Sequence, residues 1–284
     1  GSVRRKIVGT ENRTPTAVEM EEMRGLVRSG MAEGAFGLSS GTFYVPGSYS
    51  VPDEIVELAA VVAEFGGTYT SHIRDESDYT VGVVEAVEEV IDVARRSGIP
   101  SVVTHVKALG PPVWGFGAVI RRRIEVAREE GVEVYTDQYP YTASATSLAA
   151  ALLPRWSQAG GTDSLMARFN RPGIMANIRS AIVDNLARRG GADRIQFRRV
   201  GFDESIEGRL LSELARERDE DPIDIAIDLL HRGGASIISY NMDEEDLRIL
   251  MSMPWNMTAS DGGLVPWMEG VPHPRSYGTF PRKI

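Results

Sequence analysis

Apolar positions along this chain recur with two periods, and the two alternate. Val18, Met23, Val27 and Met31 fall at roughly helical spacing behind Thr16 and Glu19, whose i, i+3 relation predicts a capping box. Gly34 closes that helix, and residues 35–40 (A-F-G-L-S-S) read as a short buried strand, followed by a loop at 41–49. A second helix starts at Asp53, carries Ile55, Leu58, Ala59 and Val62 on one side and stops at Gly66-Gly67. Strand 68–73, helix 79–96 with Val83, Val87, Val90, Ile91 and Ala94 inward, strand 101–107, helix 118–130 and strand 132–139 continue the alternation. Strands separated by helices predict βαβ units and a parallel sheet.

Beyond residue 141 the rhythm breaks. Residues 142–232 are predicted to hold helices and one strand, 194–202, as an insertion or lid over the sheet. A helix opens at Asp221-Pro222 and ends at Gly233-Gly234; strand 236–240, helix 243–251 and strand 256–260 follow, the last running into Asp261-Gly262-Gly263. The final 20 residues are rich in Pro and Gly and predict a loop.

Composition narrows the chemistry. The chain has 284 residues, 42% hydrophobic and 25% charged, with a net charge of −9. That charge repels phosphate backbones and argues against a nucleic-acid partner. Cysteine is absent, which excludes disulfides, thiolate nucleophiles and Cys-ligated metals. A reducing, cytoplasmic setting is expected, and no secretory leader. The longest purely apolar run, about 148–153, is far short of the roughly 20 residues of a membrane span. A metal here can be held only by the four His and the carboxylates. Of 31 basic residues only Lys6, Lys107 and Lys283 are lysine. Lysine, unlike arginine, can lose its proton, which draws attention to the interior Lys107.

The polar residues near the predicted strand ends keep step with the βα repeat. His105 follows His72 by 33 residues, and Tyr139 follows His105 by 34. Side chains at C-terminal strand ends of such folds face the active site. Two imidazoles from adjacent strands can share one divalent ion or do acid–base work; the plainer alternative is a pair of structural histidines. Lys107, two residues past His105 in the predicted strand, should face the same cavity as an anion anchor. Arg74, Asp75 and Glu76 read as salt-bridge formers. Asp261, at a strand tip before two glycines, is a metal ligand, a proton shuttle or simply a turn residue. Tyr44, Tyr139 and Tyr141 can donate to a substrate carbonyl or carboxylate, or belong to core and rim. His231 reads as a favourable charge at a helix C-terminus. His273 lies in the Pro-rich tail, where Arg275 could clamp an anion.

Six stretches together resemble the N-acyl-D-amino-acid deacylases (D-aminoacylases) of the amidohydrolase superfamily. They are G-A-F-G-L-S-S-G-T-F-Y-V-P-G (34–47), Y-T-S-H-I-R-D-E (69–76), T-H-V-K (104–107), D-Q-Y-P-Y-T-A-S (137–144), S-D-G (260–262) and H-P-R-S-Y-G-T-F (273–280). The resemblance implies a metal-dependent, TIM-barrel-like hydrolase domain. In it, His72 and His105 match zinc ligands, and Asp261 matches the last-strand carboxylate that contacts the metal and moves the proton. Tyr44, Lys107, one of Tyr139 and Tyr141, and Arg275 match groups that hold the substrate carboxylate. The implied substrate is a small N-acyl-D-amino acid, hydrolysed at its amide with Zn2+ as cofactor.

The sequence departs from that pattern in its first half. The superfamily's H-x-H is missing, since the histidines stand at 72, 105, 231 and 273, and the bridging ligand, often Cys, has no counterpart. Residues 1–284 are therefore expected to form a partial catalytic domain, about strands 4–8 of the barrel, with 142–232 as a helical insertion. The first strands and a C-terminal β-domain are expected to be lacking. Such a chain is expected to turn over its substrate poorly or not at all alone, and an exposed sheet edge invites self-association. The competing readings are another amide hydrolase of the superfamily and a non-catalytic α/β scaffold or binding module. Tyr44, Lys107 and Arg275 together favour a carboxylate-bearing substrate over the first, while the missing H-x-H favours the second.

Overall fold

The computed structural model describes residues 1–266 and 270–283. In chain order, α1 (Ser2–Ile7) and α2 (Ala17–Ala32) lead into β1 (Gly37–Gly41), α3 (Pro52–Ala63), β2 (Thr68–His72), α4 (Val83–Ser97), β3 (Ser101–Val103), α5 (Gly117–Glu129) and β4 (Val134–Gln138). Then come β5 (Ser144–Ser147), α6 (Leu148–Leu152), α7 (Gly161–Phe169), α8 (Pro172–Arg188), β6 (Ile195–Arg199), α9 (Leu211–Arg218), α10 (Pro222–His231) and β7 (Ser236–Ser239). The chain closes with α11 (Glu244–Met251), β8 (Asn256–Thr258) and α12 (Arg275–Lys283).

Five strands form an all-parallel sheet in the order β1-β2-β3-β4-β8. Parallel pairing aligns the five C-terminal ends on one side, where the candidate residues gather. Helices α2 to α5 cover the sheet with one apolar stripe each. In α4 that stripe is Val83, Ala86, Val87, Val90, Ile91, Val93 and Ala94, all buried. The helix stops where Gly98 takes φ +72, a left-handed C-cap that costs glycine little. The capping box at Thr16 is present, its hydroxyl accepting from the Glu19 N–H at 3.2 Å while Glu19 accepts from the Thr16 N–H at 2.7 Å. The buried stripe of α2 is Met20, Met23, Val27 and Met31; Val18, expected inside, is 69% exposed, because it sits in the first turn on the solvent side.

Residues 142–232 hold the expected strand, β6, and a second one, β5. With β7, which follows them, these two strands form a separate antiparallel sheet, so segment 236–239 pairs there and not with the parallel sheet. That small sheet and helices α6 to α10 enclose their own apolar core, which shares no residue with the core beneath the parallel sheet. Two further expectations are corrected. Strand 101–107 ends at Val103, because His105 turns to φ +38 and breaks the ladder. The tail is helical from Arg275, despite its Pro and Gly, because the Arg275 N–H is received by the buried His273 ring at Nδ1, 3.0 Å away.

Candidate functional site

β2 ends on His72, and His105 lies two residues past the last paired residue of β3. Their rings meet edge to face, 4.4 Å between centroids. The backbone that presents His105 is held against its preference. A non-glycine residue at positive φ is uncommon and needs support. Asp137, on β4, supplies it twice: its Oδ1 accepts the His105 N–H at 2.5 Å and its carbonyl accepts the Val106 N–H at 2.9 Å. Burial raises the Asp137 carboxyl above its ordinary range.

A residue read from sequence only as a salt-bridge former sits at the middle of the site. Glu76, 4% exposed, places Oε1 3.5 Å from His72 Nε2 and 3.3 Å from His105 Nδ1, and receives the Lys107 ammonium. Lys107 Nζ also lies 2.7 Å from His105 Nδ1. Burial pushes the Glu76 carboxyl up, but Lys107, His72 and His105 outweigh it and hold it well below the usual carboxylate range. Burial keeps His72 neutral, well below the ordinary imidazole value, against the pull of Glu76. The neighbour Asp75 is fully buried and organises the loop that carries Glu76. It accepts from the N–H groups of Ser77, Thr80 and Gly82 at 2.9, 2.5 and 3.2 Å. Arg74 does pair as expected, its Nε within 2.8 Å of Glu89.

The other candidates fall around this centre. Lys107 reaches it from a turn and not from a strand, so the two-residue alternation argument does not apply; the tight turn at His105 brings Nζ back onto the ring. Tyr44 packs its ring 4.7 Å from His72, with its hydroxyl 3.2 Å from Thr146 of β5. Arg275, 7% exposed, pairs Nη1 with Asp261 Oδ2 at 2.8 Å. Asp261 itself takes φ +47, while Gly262 is required for a different reason than turning: a Cβ there would meet Ser276 Cα at 2.8 Å, where α12 crosses. Tyr139 is fully buried, its hydroxyl 4.0 Å from Met242 Sδ, and its ring is a floor beneath Lys107 (5.7 Å) and Arg275 (4.7 Å). Tyr141 stacks edge-on to His273 at 5.6 Å, with Arg282 over its ring. His231 is exposed at the end of α10 against Phe169, away from the site.

The donor set suits a divalent cation. His72, Glu76 and His105 each offer a ligand atom within 4.8 Å of the others, and His72 Nε2 is buried with no hydrogen bond of its own. Neutral imidazoles and an ionised carboxylate are the forms a zinc-type ion takes. Asp261 is not in this trio; its partner is Arg275.

A parallel sheet wrapped by βα-helices, with paired histidines and a carboxylate at its C-terminal rim, is a partial TIM-barrel-like α/β domain. The comparisons with known proteins agree. No protein-family model matches the chain. A D-aminoacylase of Alcaligenes xylosoxydans xylosoxydans is 31% identical over 283 residues, 100% of this chain and 49% of that protein. An N-acyl-D-glutamate deacylase of the same organism is 31% identical over 270 residues, 95% of this chain and 46% of that protein. Among solved structures, N-acyl-D-glutamate deacylase from Bordetella bronchiseptica, complexed with zinc and a phosphonate mimic of the tetrahedral intermediate, superposes with a TM-score of 0.73 at 31% identity, covering 95% of this chain and 47% of that one. A D-aminoacylase crystal structure gives 0.74 at 28% identity, covering 99% and 49%. The chain is homologous to the N-acyl-D-amino-acid deacylases along its whole length, and spans about half the length of the curated relatives it matches.

Proposed function

We propose that this chain carries the substrate-holding and metal-binding half of an N-acyl-D-amino-acid deacylase, a zinc-dependent amidohydrolase acting on linear amides. The observation that carries the reading is the His72–His105 ring contact, ringed by Glu76, Lys107 and Tyr44, at the strand ends of a fold shared with deacylases. His72 and His105 would hold the zinc, which when bound lowers the pKa of water and polarises the acyl carbonyl. Lys107 and Arg275 are buried cations resting on one aromatic floor, Tyr139, and present two anchors for a free carboxylate. With the carboxylate fixed there, only one hand of the α-carbon turns its amide toward the histidines. Tyr44, at the rim beside His72, would donate to the same ligand. Asp261 accepts the proton of the attacking water and returns it to the leaving amine. When a substrate carboxylate occupies Arg275, its grip on Asp261 is shared, which frees the Asp261 oxygen for that transfer.

Histidines number four in the sequence and none forms an H-x-H, so a second metal has no imidazole pair to hold it. The chain by itself is therefore proposed to hydrolyse N-acyl-D-amino acids poorly or not at all. The scaffold reading draws on the same absence. Zinc analysis of the purified chain beside His72→Ala and His105→Ala separates them. About one zinc per chain, lost in both variants, supports the deacylase site; no zinc in any of the three overturns it. Robust metal-dependent turnover of N-acetyl-D-amino acids by this chain would refute the half-site reading instead.

A further inference from the structure

The half of the molecule that holds α6 to α10 supplies none of the donor atoms of His72, Glu76 and His105. It does grip the segment that carries one of them. Glu76 opens the stretch that runs to α4, and three residues on, Tyr79 reaches across to the other half. Its hydroxyl donates to the Ala151 carbonyl of α6 at 3.4 Å. Arg155, which follows α6, and Arg188 and Arg189, at the end of α8, approach its ring at 5.5, 5.7 and 5.9 Å. Among the described residues, neither Arg155 nor Arg189 has a carboxylate at ion-pair distance, and Arg155 Nη2 and Arg189 Nε are buried without a hydrogen bond. For cations so placed, an aromatic face takes the part of a counter-ion. The same ring meets Phe43 edge-on at 5.8 Å, and Phe43 packs 5.3 Å from His72.

We infer that Tyr79 is a positioning residue that acts through Glu76. The Asp75 carboxylate shapes the turn, but its partners, the N–H groups of Ser77, Thr80 and Gly82 and the Thr80 hydroxyl, all belong to the turn itself. Fixing the turn in space takes ties to other elements. The near end has one in the Leu109 N–H, which bonds to the Glu76 carbonyl at 2.7 Å. The far end is held by Tyr79 among the guanidinium groups and by Asp78, paired with Arg188 at 3.0 Å. With the far end released, the Glu76 carboxylate loses its fixed place beside the two imidazoles. Partners that orient a ligating side chain are commonly worth about 10- to 100-fold in metal affinity. The half that gives no ligand thus sets how tightly the other half holds its metal. The inference rests on the metal-binding reading above, and its test separates the two.

The test compares the full chain with Tyr79→Leu, which removes the ring, and Tyr79→Phe, which keeps it. Without metal, hydrogen exchange at the Ser77, Thr80 and Gly82 amides should be about tenfold or more faster in Tyr79→Leu, and close to the wild-type rate in Tyr79→Phe. Zinc Kd, read by competition with a chelating dye, should weaken about tenfold or more in Tyr79→Leu and stay within about twofold in Tyr79→Phe. A loss of stability alone would not move Kd while the chain remains folded, and would not be rescued by Phe. Unchanged exchange in Tyr79→Leu, or an unchanged zinc Kd there, overturns the proposal. Should Tyr79→Leu fail to fold, Arg188→Met decides, since it removes one cation from the ring together with the Asp78 pair: faster exchange of the same three amides supports the anchor, and unchanged exchange overturns it. Exchange that moves as stated in proteins that bind no zinc would uphold the anchoring of the Glu76 segment and overturn the metal-site reading.

Discussion

At the scale of single residues, the site depends on backbone held in unusual places. His105 and Asp261 both take positive φ, and each is locked by a partner, Asp137 and Arg275. Asp137→Ala removes the acceptor of a buried N–H and should cost about 1–3 kcal/mol of stability in urea unfolding, whereas Asp137→Asn, which keeps an acceptor oxygen, should cost less than half of that. His273 is a second lock. Its Nδ1 receives the Arg275 N–H and its Nε2–H bonds to the Ala143 carbonyl at 2.9 Å, so the ring must be neutral. Burial, reinforced by the Arg275 charge, depresses its pKa to about 4. The unfolded ring titrates near 6.5, so between these values the unfolded chain binds the extra proton. That stability is whole above about pH 6.5 and is lost as pH falls toward 4. Between about pH 7 and 5 the loss is roughly 2 kcal/mol, and His273→Asn should flatten that part of a pH-stability curve.

At the scale of elements, the segment from His105 to Gly110 is wedged between the two halves of the molecule. Gly110 stands at φ +95, and a Cβ there would lie 1.9 Å from the carbonyl oxygen of Arg188 at the end of α8. Its N–H bonds to the Asn241 carbonyl at 2.6 Å. Gly110→Ala should therefore destabilise by about 3 kcal/mol or more, through forced backbone movement and strained φ, measurable as a fall in denaturation midpoint. The elements around the parallel sheet were legible from apolar spacing, because each helix there buries one stripe and each strand is a short segment set off between two such helices. Three features were not. β5, S-A-T-S, has no hydrophobic alternation and is a strand only because β7 lies beside it. α12 begins where a distant side chain, His273, is already buried to receive its first N–H. Glu76 follows a strand-end histidine by four residues in R-D-E, a run that composition reads as solvated; only the fold shows that its loop turns inward. The histidine pair, Lys107 and Arg275 were visible because rare or motif-bound residue types marked them.

At the scale of the whole molecule, the parallel sheet has two edges, β1 and β8, with no further strand paired to either among the described residues. Unpaired backbone donors and acceptors along such edges promote association. Sedimentation at rising concentration should show the weight-average mass of this chain increasing; a mass that stays monomeric over a hundredfold range would refute this.

The two apolar cores are joined by something other than apolar contact. Arg155 lies 4.1 Å above the Phe43 ring and 5.5 Å above Tyr79, and Arg188 and Arg189 approach Tyr79 at 5.7 and 5.9 Å. Phe43 in turn packs 5.3 Å from His72. Three guanidinium groups of one half thus rest on two rings of the other, directly behind the histidines. Arg188 also pairs with Asp78 at 3.0 Å, so polar and cation–π contacts, not apolar packing, carry this part of the seam. A seam held by polar contacts is expected to part more readily than the two apolar interiors. Amides in the 105–110 segment should exchange with deuterium sooner than those of α4 or α8, and entry and exit of ligand would follow the rhythm of that breathing.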